Sequence, residues 1–357
     1  MPDEKGNMKT IPLLYLRAAT AVLFVFISGC ATAGRRENHE NICRVDFIAA
    51  GDIMLDRGIG RLMAKKGKFY PYEKTSVFVK MHDLAFCNLE CPVSGRGKRK
   101  QKRFAFRCSP PYFEGLKESG FNMYSIANNH ICDYGRQGLM DTIDALSGAG
   151  FFYSGAGGTR QEADSAKIKE INGIKIAFIA HVDMPVMLEE TPGSGEEPQP
   201  SARCGLQEIT SEVAKAKKMA DYVVVSFHWG EEYTNYPGKR QRTWAHACVD
   251  SGADLIIGHH PHVMESVEKY KGKIILYSLG NFIFDQYMPG TKDTMVFCCR
   301  FTKTGIESPF LLPVKITHGQ PEFASGEDAV LIRKKITTYS KNFKVDFKKD
   351  NAKIMIE

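Results

Sequence analysis

The chain has 357 residues, of which 43% are hydrophobic and 25% are charged, and its formal net charge at pH 7 is +7. A chain of this length can bury a full core without disulfides or metals. Disordered proteins combine low hydrophobicity with high net charge, and this chain has neither. The positive surplus fits an anionic ligand or surface but is too small to indicate nucleic-acid binding. Length alone leaves one large α/β domain or two ordinary domains open.

The first thirty residues are typical of an export signal. Lys9 and Arg17 precede an apolar run, Ala18–Ile27, which is shorter than the roughly 20 apolar residues that a membrane-spanning helix needs. Residues 1–29 are therefore predicted to be a signal peptide. The segment Ile27–Cys30 resembles the lipobox of bacterial lipoproteins, which implies cleavage before Cys30 and attachment of lipid to it. A plain secretory signal, a single anchor or a buried helix are the alternatives.

Lipid on Cys30 would tether the rest of the chain to a membrane. We therefore expect an exported, membrane-anchored lipoprotein of the bacterial cell envelope, with a polar tether over residues 30–43. Nine further cysteines follow Cys30, and none of them forms a CxxC motif or a zinc knuckle. Cys87 and Cys91 are close enough in sequence to bridge, but most of the cysteines are expected to be small buried side chains.

Short apolar runs alternate with amphipathic stretches from residue 44 onward. Eight runs are predicted to be strands: Val45–Ala50, Leu84–Cys87, Met123–Ala127, Ile174–Ala180, Tyr222–His228, Leu255–Ile257, Ile274–Ser278 and Met295–Phe301. Four stretches are predicted to be helices: Pro110–Ser119, Gln137–Gly148, Gln207–Ala220 and Arg240–Ser251. Several strands are apolar throughout, as expected when both faces of a sheet are covered. The alternation of strands and helices indicates a layered α/β domain.

Two stretches are predicted to be loops. Residues 189–202 are rich in Pro, Gly and Glu, which is typical of an exposed excursion. Residues 95–103 form a basic loop that is either a solvated surface or a contact for a polyanion. The main domain is predicted to span residues 44–318. Residues 319–357 are a C-terminal extension that either packs as a final helix or strand pair or frays.

Polar side chains follow five of the predicted strands at the point where each strand ends. They lie in the segments Gly51–Asp52, Asn88–Glu90, Asn128–Asp133, His228–Gly230 and Gly258–His262. The carboxyl ends of strands in open α/β sheets are where ligands bind. Carboxylates, amide oxygens and imidazoles suit Zn, Mn or Fe, and two such ions activate water for attack on phosphorus. The sequence therefore predicts a metal-dependent hydrolytic site.

In their order along the chain, these motifs resemble the CapA family, the poly-γ-glutamate capsule synthesis proteins of the calcineurin-like metallophosphoesterase superfamily. The matching motifs are Gly51–Leu55, Asn88–Glu90, Ala127–His130 with Asp133 and Gly138, His228–Gly230 with Glu232 and Tyr233, Gly252–His262, and Ser278–Phe282 with Asp285. The resemblance covers about residues 44 to 300. It implies a four-layer α/β/β/α sandwich with a metal centre at the strand ends.

The resemblance also implies roles for particular residues. His130 matches the catalytic histidine, and six residues match the metal ligands: Asp52, Glu90 (in the bridging position), Asn129, His228, His260 and His262. Other members of the superfamily carry Asp-x-His in the first motif. Here Met54 stands at the third position, so one of the two metal positions lacks a nitrogen ligand. This departure is itself a feature of the CapA group.

Four more residues near strand ends are expected to contact the ligands or the substrate: His181, His259, Asn281 and Asp285. Asn281 and Asp285 are alternatively residues that set a turn, and His259 is alternatively a surface residue.

Two functions are expected from these patterns. The first is an exported hydrolase that uses divalent metal ions, two of them and either Mn, Zn or Fe, on a phosphoester or a related anionic substrate of capsule or poly-γ-glutamate biosynthesis. The alternative is a non-catalytic accessory protein that binds or exports an anionic polymer such as poly-γ-glutamate, together with a capsule synthase complex. Met54 and the tether favour the alternative. An amide-bond hydrolase or ligase acting on the polymer is a third reading.

Overall fold

Two β-sheets with helices on their outer sides build the fold, which a computed structural model describes for residues 43–186, 199–201 and 205–357. The strands are β1 (Arg44–Ile53), β2 (Leu84–Leu89), β3 (Met123–Ser125), β4 (Phe152–Ser154), β5 (Ala156–Gly157), β6 (Lys167–Ile171), β7 (Ile174–Val182), β8 (Gln199–Pro200), β9 (Tyr222–His228), β10 (Leu255–His259), β11 (Val267–Tyr270), β12 (Lys273–Leu276), β13 (Asn281–Ile283), β14 (Asp293–Thr302), β15 (Ile306–Thr317), β16 (Gln320–Phe323), β17 (Phe347–Asp350) and β18 (Lys353–Ile356). The α-helices are α1 (Arg57–Lys66), α2 (Ser76–Val79), α3 (Pro110–Glu118), α4 (Gly135–Gly148), α5 (Arg160–Asp164), α6 (Leu206–Lys217), α7 (Lys239–Asp250) and α8 (Gly326–Ser340), and Tyr70–Tyr72 form a short 3₁₀ turn.

The larger sheet has ten strands in the order β17-β18-β15-β14-β1-β2-β3-β4, with β13 paired to β1 and β16 paired to β15. Strands β1 to β4 run parallel to one another, while β14 runs antiparallel to β1. The smaller sheet has six strands in the order β11-β12-β10-β9-β7-β6, of which β12, β10, β9 and β7 are parallel. Strands β5 and β8 form a separate pair.

Three apolar cores lie between four layers. On β1, Ile48 and Ala50 face helices α1 to α4, while Val45 and Phe47 face the smaller sheet. This alternation is the period-two pattern of a strand that is buried on both faces. The outer face of the smaller sheet packs on α6 and α7 through residues such as Val225. The predicted α/β/β/α sandwich is confirmed by these layers.

The segment after residue 318 is joined to the larger sheet. β16 pairs with β15, and β18 pairs with β15 on the other part of that strand. Ile332 and Ile336 of α8 and Ile354 of β18 are fully buried in the core between the two sheets. The C-terminal extension therefore packs as a helix followed by a strand pair.

Several predictions fall partly or wholly outside the described residues. These are the signal peptide over residues 1–29, lipid attachment at Cys30, the tether apart from Cys43, and most of the loop at residues 189–202. The eight cysteines that the structure describes are all free, and Cys87 and Cys91 are buried without a bridge. Burial raises the pKa of the Cys87 and Cys91 thiols, as expected for inert core side chains.

Candidate metal centre

The candidate ligands come together where strands of the two sheets end side by side. In the larger sheet, Asp52 of β1 pairs with Asn88 of β2, and Glu90 directly follows β2. In the smaller sheet, His228 ends β9 and pairs with His259 of β10. Each sheet therefore contributes part of the centre.

Two glycines allow the backbones to approach closely at these strand ends. A Cβ atom at Gly51 would lie 1.8 Å from the carbonyl oxygen of Gly280. A Cβ atom at Gly258 would likewise lie 1.8 Å from the carbonyl oxygen of Tyr277. Both distances are far inside van der Waals contact, so only glycine fits directly before Asp52 and before His259.

Asp52 is fully buried and uses both carboxylate oxygens. Its Oδ1 accepts a hydrogen bond from Asn88 Nδ2 at 2.8 Å and lies 3.1 Å from His259 Nδ1. Its Oδ2 accepts a hydrogen bond from the backbone N–H of His260 at 3.2 Å and lies 3.6 Å from His262 Nδ1. Burial favours the neutral acid, but the surrounding imidazole and amide groups outweigh it and lower the pKa of Asp52.

Glu90 presents a buried oxygen, Oε1, that has no hydrogen-bond partner among the described residues. This atom lies 3.6 Å from His262 Nε2 and 4.0 Å from His130 Nε2. Its other oxygen, Oε2, accepts a hydrogen bond from Asn88 Nδ2 at 3.3 Å. Burial and the Asp52 carboxylate raise the pKa of Glu90 well above its usual value. Because a buried carboxylate is stable when it is paired or ligates a metal, a divalent ion fits beside Glu90.

Asn129 and His228 connect the two sheets across the centre. His228 Nε2 lies 3.0 Å from Asn129 Oδ1, and the ring centroids of His228 and His260 are 4.8 Å apart. Burial and the neighbouring histidines lower the pKa of His228 well below 6.5. The imidazole is therefore neutral at pH 7, which is the form that ligates a metal.

His260 and His262 flank Pro261 on a turn with rare backbone angles. Their φ values are 97° and 60°, in the left-handed region that residues other than glycine seldom adopt. His262 Nδ1 lies 3.0 Å from Asn281 Oδ1, which leaves Nε2 facing Glu90. Burial lowers the pKa of His260 to about 3, and its Nδ1 has no hydrogen-bond partner in the part of the chain that the structure describes.

His130 is oriented by Asp133 and by a lysine of the basic loop. Its Nδ1 lies 2.7 Å from Asp133 Oδ2, and its ring stacks on Phe106 with the centroids 4.1 Å apart. Lys102 forms an ion pair with Asp133 and donates a hydrogen bond to the backbone oxygen of Asn129 at 2.9 Å. Burial outweighs the Asp133 carboxylate and lowers the pKa of His130. With Nδ1 held by Asp133, Nε2 is the ring atom left to face Glu90.

Two groups of three side chains have the spacing of a metal site. One group is Asp52, Glu90 and His262, and the other is Glu232, His260 and His262. In each group the three ligand atoms lie within 4.8 Å of one another. Among the described residues, two atoms of these groups, Glu90 Oε1 and His260 Nδ1, lack hydrogen-bond partners, and so does Nε2 of His259, whose Nδ1 contacts Asp52. The donors therefore fit a divalent metal ion.

Of the four residues expected to contact ligands or substrate, His259 and Asn281 lie at the centre, against Asp52 and His262 respectively. Asn281 also donates hydrogen bonds to Gln286 Oε1 and to the backbone oxygen of Thr291, at 3.0 Å and 3.1 Å. These contacts fix the Asn281 amide, so that its Oδ1 meets His262 Nδ1.

For the other two residues, the contacts that the structure describes are with residues other than the six candidate ligands. His181 Nδ1 lies 3.1 Å from Ser201 Oγ, and its ring stacks on Trp244 with the centroids 5.8 Å apart. Asp285 forms an ion pair with Arg57 and accepts a hydrogen bond from the backbone N–H of Gly58 at 2.7 Å. Asp285 thus holds the first turn of α1.

Five residues of the centre were not predicted as site residues: Asn88, Asn128, Asp133, Lys102 and Glu232. Asn128 Nδ2 donates hydrogen bonds to Asn88 Oδ1 at 3.1 Å and to the backbone oxygen of Leu89 at 2.8 Å. Asn88, Asn128, Asp133 and Glu232 stand inside the motifs that carry the family resemblance, and Lys102 stands in the basic loop. Their position in those segments was the only signal in the sequence.

Position 54 supplies no ligand. Met54 is fully buried in the apolar cluster between the larger sheet and the helices, and its Sδ accepts a hydrogen bond from the backbone N–H of Asp56 at 3.1 Å. The first motif therefore contributes Asp52 alone.

The sequence is similar to a family of bacterial proteins along most of its length. The family model described as bacterial capsule synthesis protein PGA_cap matches residues 46–286. "Capsule biosynthesis protein CapA" of Bacillus anthracis is 33% identical over 320 residues, covering 87% of this chain and 76% of that protein. "PGA biosynthesis protein CapA" of Bacillus subtilis (strain 168) is 32% identical over 316 residues, covering 85% and 81%.

A solved structure described as a novel phosphatase from Mycoplasma pneumoniae is a more distant match. It covers 77% of this chain and 94% of its own, with 12% sequence identity and a TM-score of 0.47. The family match spans every candidate ligand from Asp52 to His262.

Proposed function

Because this chain belongs to the bacterial capsule synthesis protein PGA_cap family, we propose that it is a metal-dependent hydrolase of the cell envelope. Its substrate is a phosphoester or a related anionic group of capsule or poly-γ-glutamate biosynthesis. The observation that carries the proposal is the meeting of Asp52, Glu90, His260 and His262 around atoms that lack hydrogen-bond partners among the described residues.

Side chains of the chain itself supply a proton-exchanging group and a positive charge for such a reaction. Divalent ions, when bound, would polarise the scissile group and acidify water. His130 holds a neutral ring, because burial lowers its pKa, and Asp133 fixes which ring nitrogen is exposed to the centre. His130 Nε2 therefore exchanges a proton with the substrate or with water.

Arg57 supports an anionic substrate. Its guanidinium lies 4.6 Å from the ring centroid of Phe106 and 5.6 Å from that of Phe284. Phe106 stacks on His130, and the Phe284 ring centroid is 4.8 Å from that of His262. Arg57 Nε is buried and has no hydrogen-bond partner among the described residues. A guanidinium placed beside the centre in this way suits a carboxylate or phosphate.

The accessory function remains the second candidate because of Met54. A side chain that packs in the apolar core cannot ligate, so the site holds one nitrogen ligand fewer than an Asp-x-His motif provides. In this reading the centre binds an anionic polymer, and any metal is structural.

Hydrolase activity of the purified full-length protein distinguishes the two candidates. We expect activity on phosphomonoesters, phosphodiesters or poly-γ-glutamate in the presence of Mn²⁺, Zn²⁺ or Fe²⁺. His228→Ala should lower this activity by about 100-fold or more, since a direct ligand should matter at least as much as the outer contacts that orient ligands. His318→Asn, an exposed change at a left-handed position, should leave it unchanged. A wild-type protein that is inactive with every metal, or a fully active His228→Ala variant, would contradict the hydrolase and favour the accessory function.

We also propose that lipid on Cys30 tethers the protein to the membrane. No helix within the residues that the structure describes is long and apolar enough to cross a bilayer. Labelling of cells with radioactive palmitate should mark the wild-type protein and not Cys30→Ala. Equal labelling of both would exclude Cys30 as the acylated residue.

A further inference from the structure

The loop after β9 is fixed against the loop after β10. The backbone N–H of Trp229 donates a hydrogen bond to the carbonyl oxygen of His259 at 3.1 Å. Four residues later, the backbone N–H of Tyr233 donates to the carbonyl oxygen of Pro261 at 2.9 Å. Glu232 lies between these two anchors, so the position of its backbone relative to His260 and His262 is set by main-chain contacts.

The Glu232 carboxylate faces the centre even though the residue is exposed on its outer side. One of its oxygens lies within 4.8 Å of a ring nitrogen of His260 and of His262. His262 also belongs to the group with Asp52 and Glu90, so one imidazole is common to both groups.

An exposed carboxylate alone would not indicate a metal site. Glu232, however, lies beside buried atoms that lack hydrogen-bond partners among the described residues. His260 is buried, and its Nδ1 has no hydrogen-bond partner among the described residues. Glu90 Oε1 is likewise buried and has no hydrogen-bond partner among these residues. Two carboxylates of like charge, one of them buried, repel each other unless a cation lies between them.

The first motif leaves a ligand to be supplied. Asp52 and Glu90 offer oxygens and His262 offers a nitrogen, while Met54 points into the apolar core. We propose that Glu232 is a metal ligand of this centre and takes the place of the nitrogen ligand that position 54 lacks. The inference rests on the proposed function only in requiring that the centre binds a divalent metal.

This replacement changes the chemistry of the site. An oxygen in place of an imidazole nitrogen makes the donor set harder, and carboxylate ligands suit Mn²⁺ better than nitrogen ligands do. Relative to a centre with a histidine at that place, this one should bind Mn²⁺ more strongly in comparison with Zn²⁺.

Metal binding to the full-length protein tests the role of Glu232 without an activity assay. Mn²⁺ titrations followed by calorimetry and by electron paramagnetic resonance would compare the wild type with Glu232→Gln. We expect the Mn²⁺ affinity to fall by about tenfold or more in Glu232→Gln, with an altered resonance spectrum, since removing a direct ligand should cost at least as much as removing an outer contact. Glu231→Gln removes the neighbouring exposed carboxylate and should behave as the wild type.

A second variant, Glu232→His, keeps a ligand at the position. It should bind metal with the wild-type stoichiometry, and its ratio of Zn²⁺ to Mn²⁺ affinity should rise by about tenfold or more, as expected when nitrogen replaces oxygen. Wild-type Mn²⁺ affinity and spectrum in Glu232→Gln would overturn the inference, and so would an unchanged metal ratio in Glu232→His. If the wild type itself bound neither Mn²⁺ nor Zn²⁺, the proposed metal-dependent function would fail instead.

Discussion

Asn88 shows how one neutral side chain keeps several charged groups in place. Its Nδ2 donates to Asp52 at 2.8 Å and to Glu90 at 3.3 Å, and it lies 3.4 Å from His228 Nδ1. Its Oδ1 accepts a hydrogen bond from Asn128. An amide fits here because it brings two donors and an acceptor without adding charge to a site that already holds buried carboxylates. The spacing of the motif predicts Glu90 as a ligand but does not reveal this supporting role.

Strand periodicity explains why His181 faces the helices and not the larger sheet. On β7, Ala177 and Ile179 face helices α6 and α7, while Ile176 and Phe178 face the larger sheet. His181 continues the odd-numbered series and stacks on Trp244 of α7. The period of two was available from the sequence and would have placed this histidine on the helix side.

His181 should make the fold sensitive to mild acid. Burial lowers its pKa to about 4 in the folded protein, against about 6.5 in the unfolded chain. Between these values the unfolded chain takes up a proton that the folded protein does not. The stability is therefore fully present above pH 6.5 and is lost as the pH falls toward 4. The difference in unfolding free energy between the wild type and His181→Gln should shift by about 2 kcal/mol against the wild type from pH 7 to pH 5.

Urea unfolding of both proteins at the two pH values measures this shift. The difference between two proteins cancels the titration of all other groups, provided that they titrate alike in both. A difference that stays constant between pH 7 and pH 5 would show that His181 does not carry the acid sensitivity.

At the level of elements, partly buried ion pairs attach the C-terminal helix to the larger sheet. Asp293 begins β14 and accepts a hydrogen bond from Lys315 of β15 at 2.6 Å. It also forms an ion pair with Lys335 of α8. Burial raises the pKa of Asp293, but the two lysines outweigh this and lower it below 3.8. One carboxylate thus connects two strands and a helix.

Asp293→Asn should lower the free energy of unfolding at pH 7 by about 1.5–3 kcal/mol, because hydrogen bonds to charged groups are lost. Asp328→Asn is the matched control. Asp328 also pairs with Lys315, at 3.3 Å, but its side chain is 52% exposed. That change should cost about 1 kcal/mol or less.

The cost of Asp293→Asn also depends on pH. Because the folded pKa is lowered, the contribution is complete above the unfolded value near 3.8 and disappears as the pH falls through the folded value. Denaturant unfolding of the wild type and of Asp293→Asn between pH 7 and pH 2.5 measures how this cost changes with pH. A cost that is equal at both ends of the range would contradict the ionic origin.

The elements that were predicted and those that were missed differ in where their stabilisation comes from. Strands β2, β9 and β10 are recognisable in the sequence as apolar runs because both of their faces are buried. Strand β13 has three residues, and its pairing with β1 depends on tertiary contact rather than on local pattern. Helix α1 contains two glycines and many charged residues, and the side chain of Asp56, which caps it, lies just outside it. A strand as short as β13 cannot be separated from a loop by periodicity alone, whereas α1 was recognisable as amphipathic because Ile59 and Met63 are buried one turn apart.

The candidate site was predictable to the extent that parallel strands carry it. Asp52 and His228 lie in the last residues of their strands and Glu90 directly follows its strand, and the strand order brings these ends together. Glu232 and Lys102 come from loops, and their positions depend on backbone hydrogen bonds and an ion pair across distant segments. Sequence spacing contains no information about such contacts.

At the scale of the whole molecule, residues 43–357 form one unit. The core between the sheets includes side chains from Val45 near its beginning to Ile356 near its end. The last strand pair is therefore part of that core, although it lies beyond the residues that the family model matches.

Ile354→Ala tests how much the C-terminal strand pair contributes to the stability of the fold. Ile354 of β18 is fully buried, so the variant should lose about 2–5 kcal/mol of unfolding free energy, as expected for a large buried side chain cut to alanine. Lys349→Ala, an exposed change on the neighbouring β17, should alter the stability by about 0.5 kcal/mol or less. Urea unfolding at pH 7 compares them, and equal stability of the two variants would mean that the strand pair is peripheral.

The division of the centre between two sheets has a consequence for how tightly the halves of the molecule are held. Asp52 and Glu90 lie at strand ends of the larger sheet, whereas His228 and the turn with His260 and His262 lie at strand ends of the smaller one. A cation bound by both groups would be released when the sheets separate. The free energy of separating the sheets would therefore depend in part on the concentration of the free cation. A bound ion would then also stabilise the packing of the two sheets against each other. Removal of the metal would lower the stability of that contact.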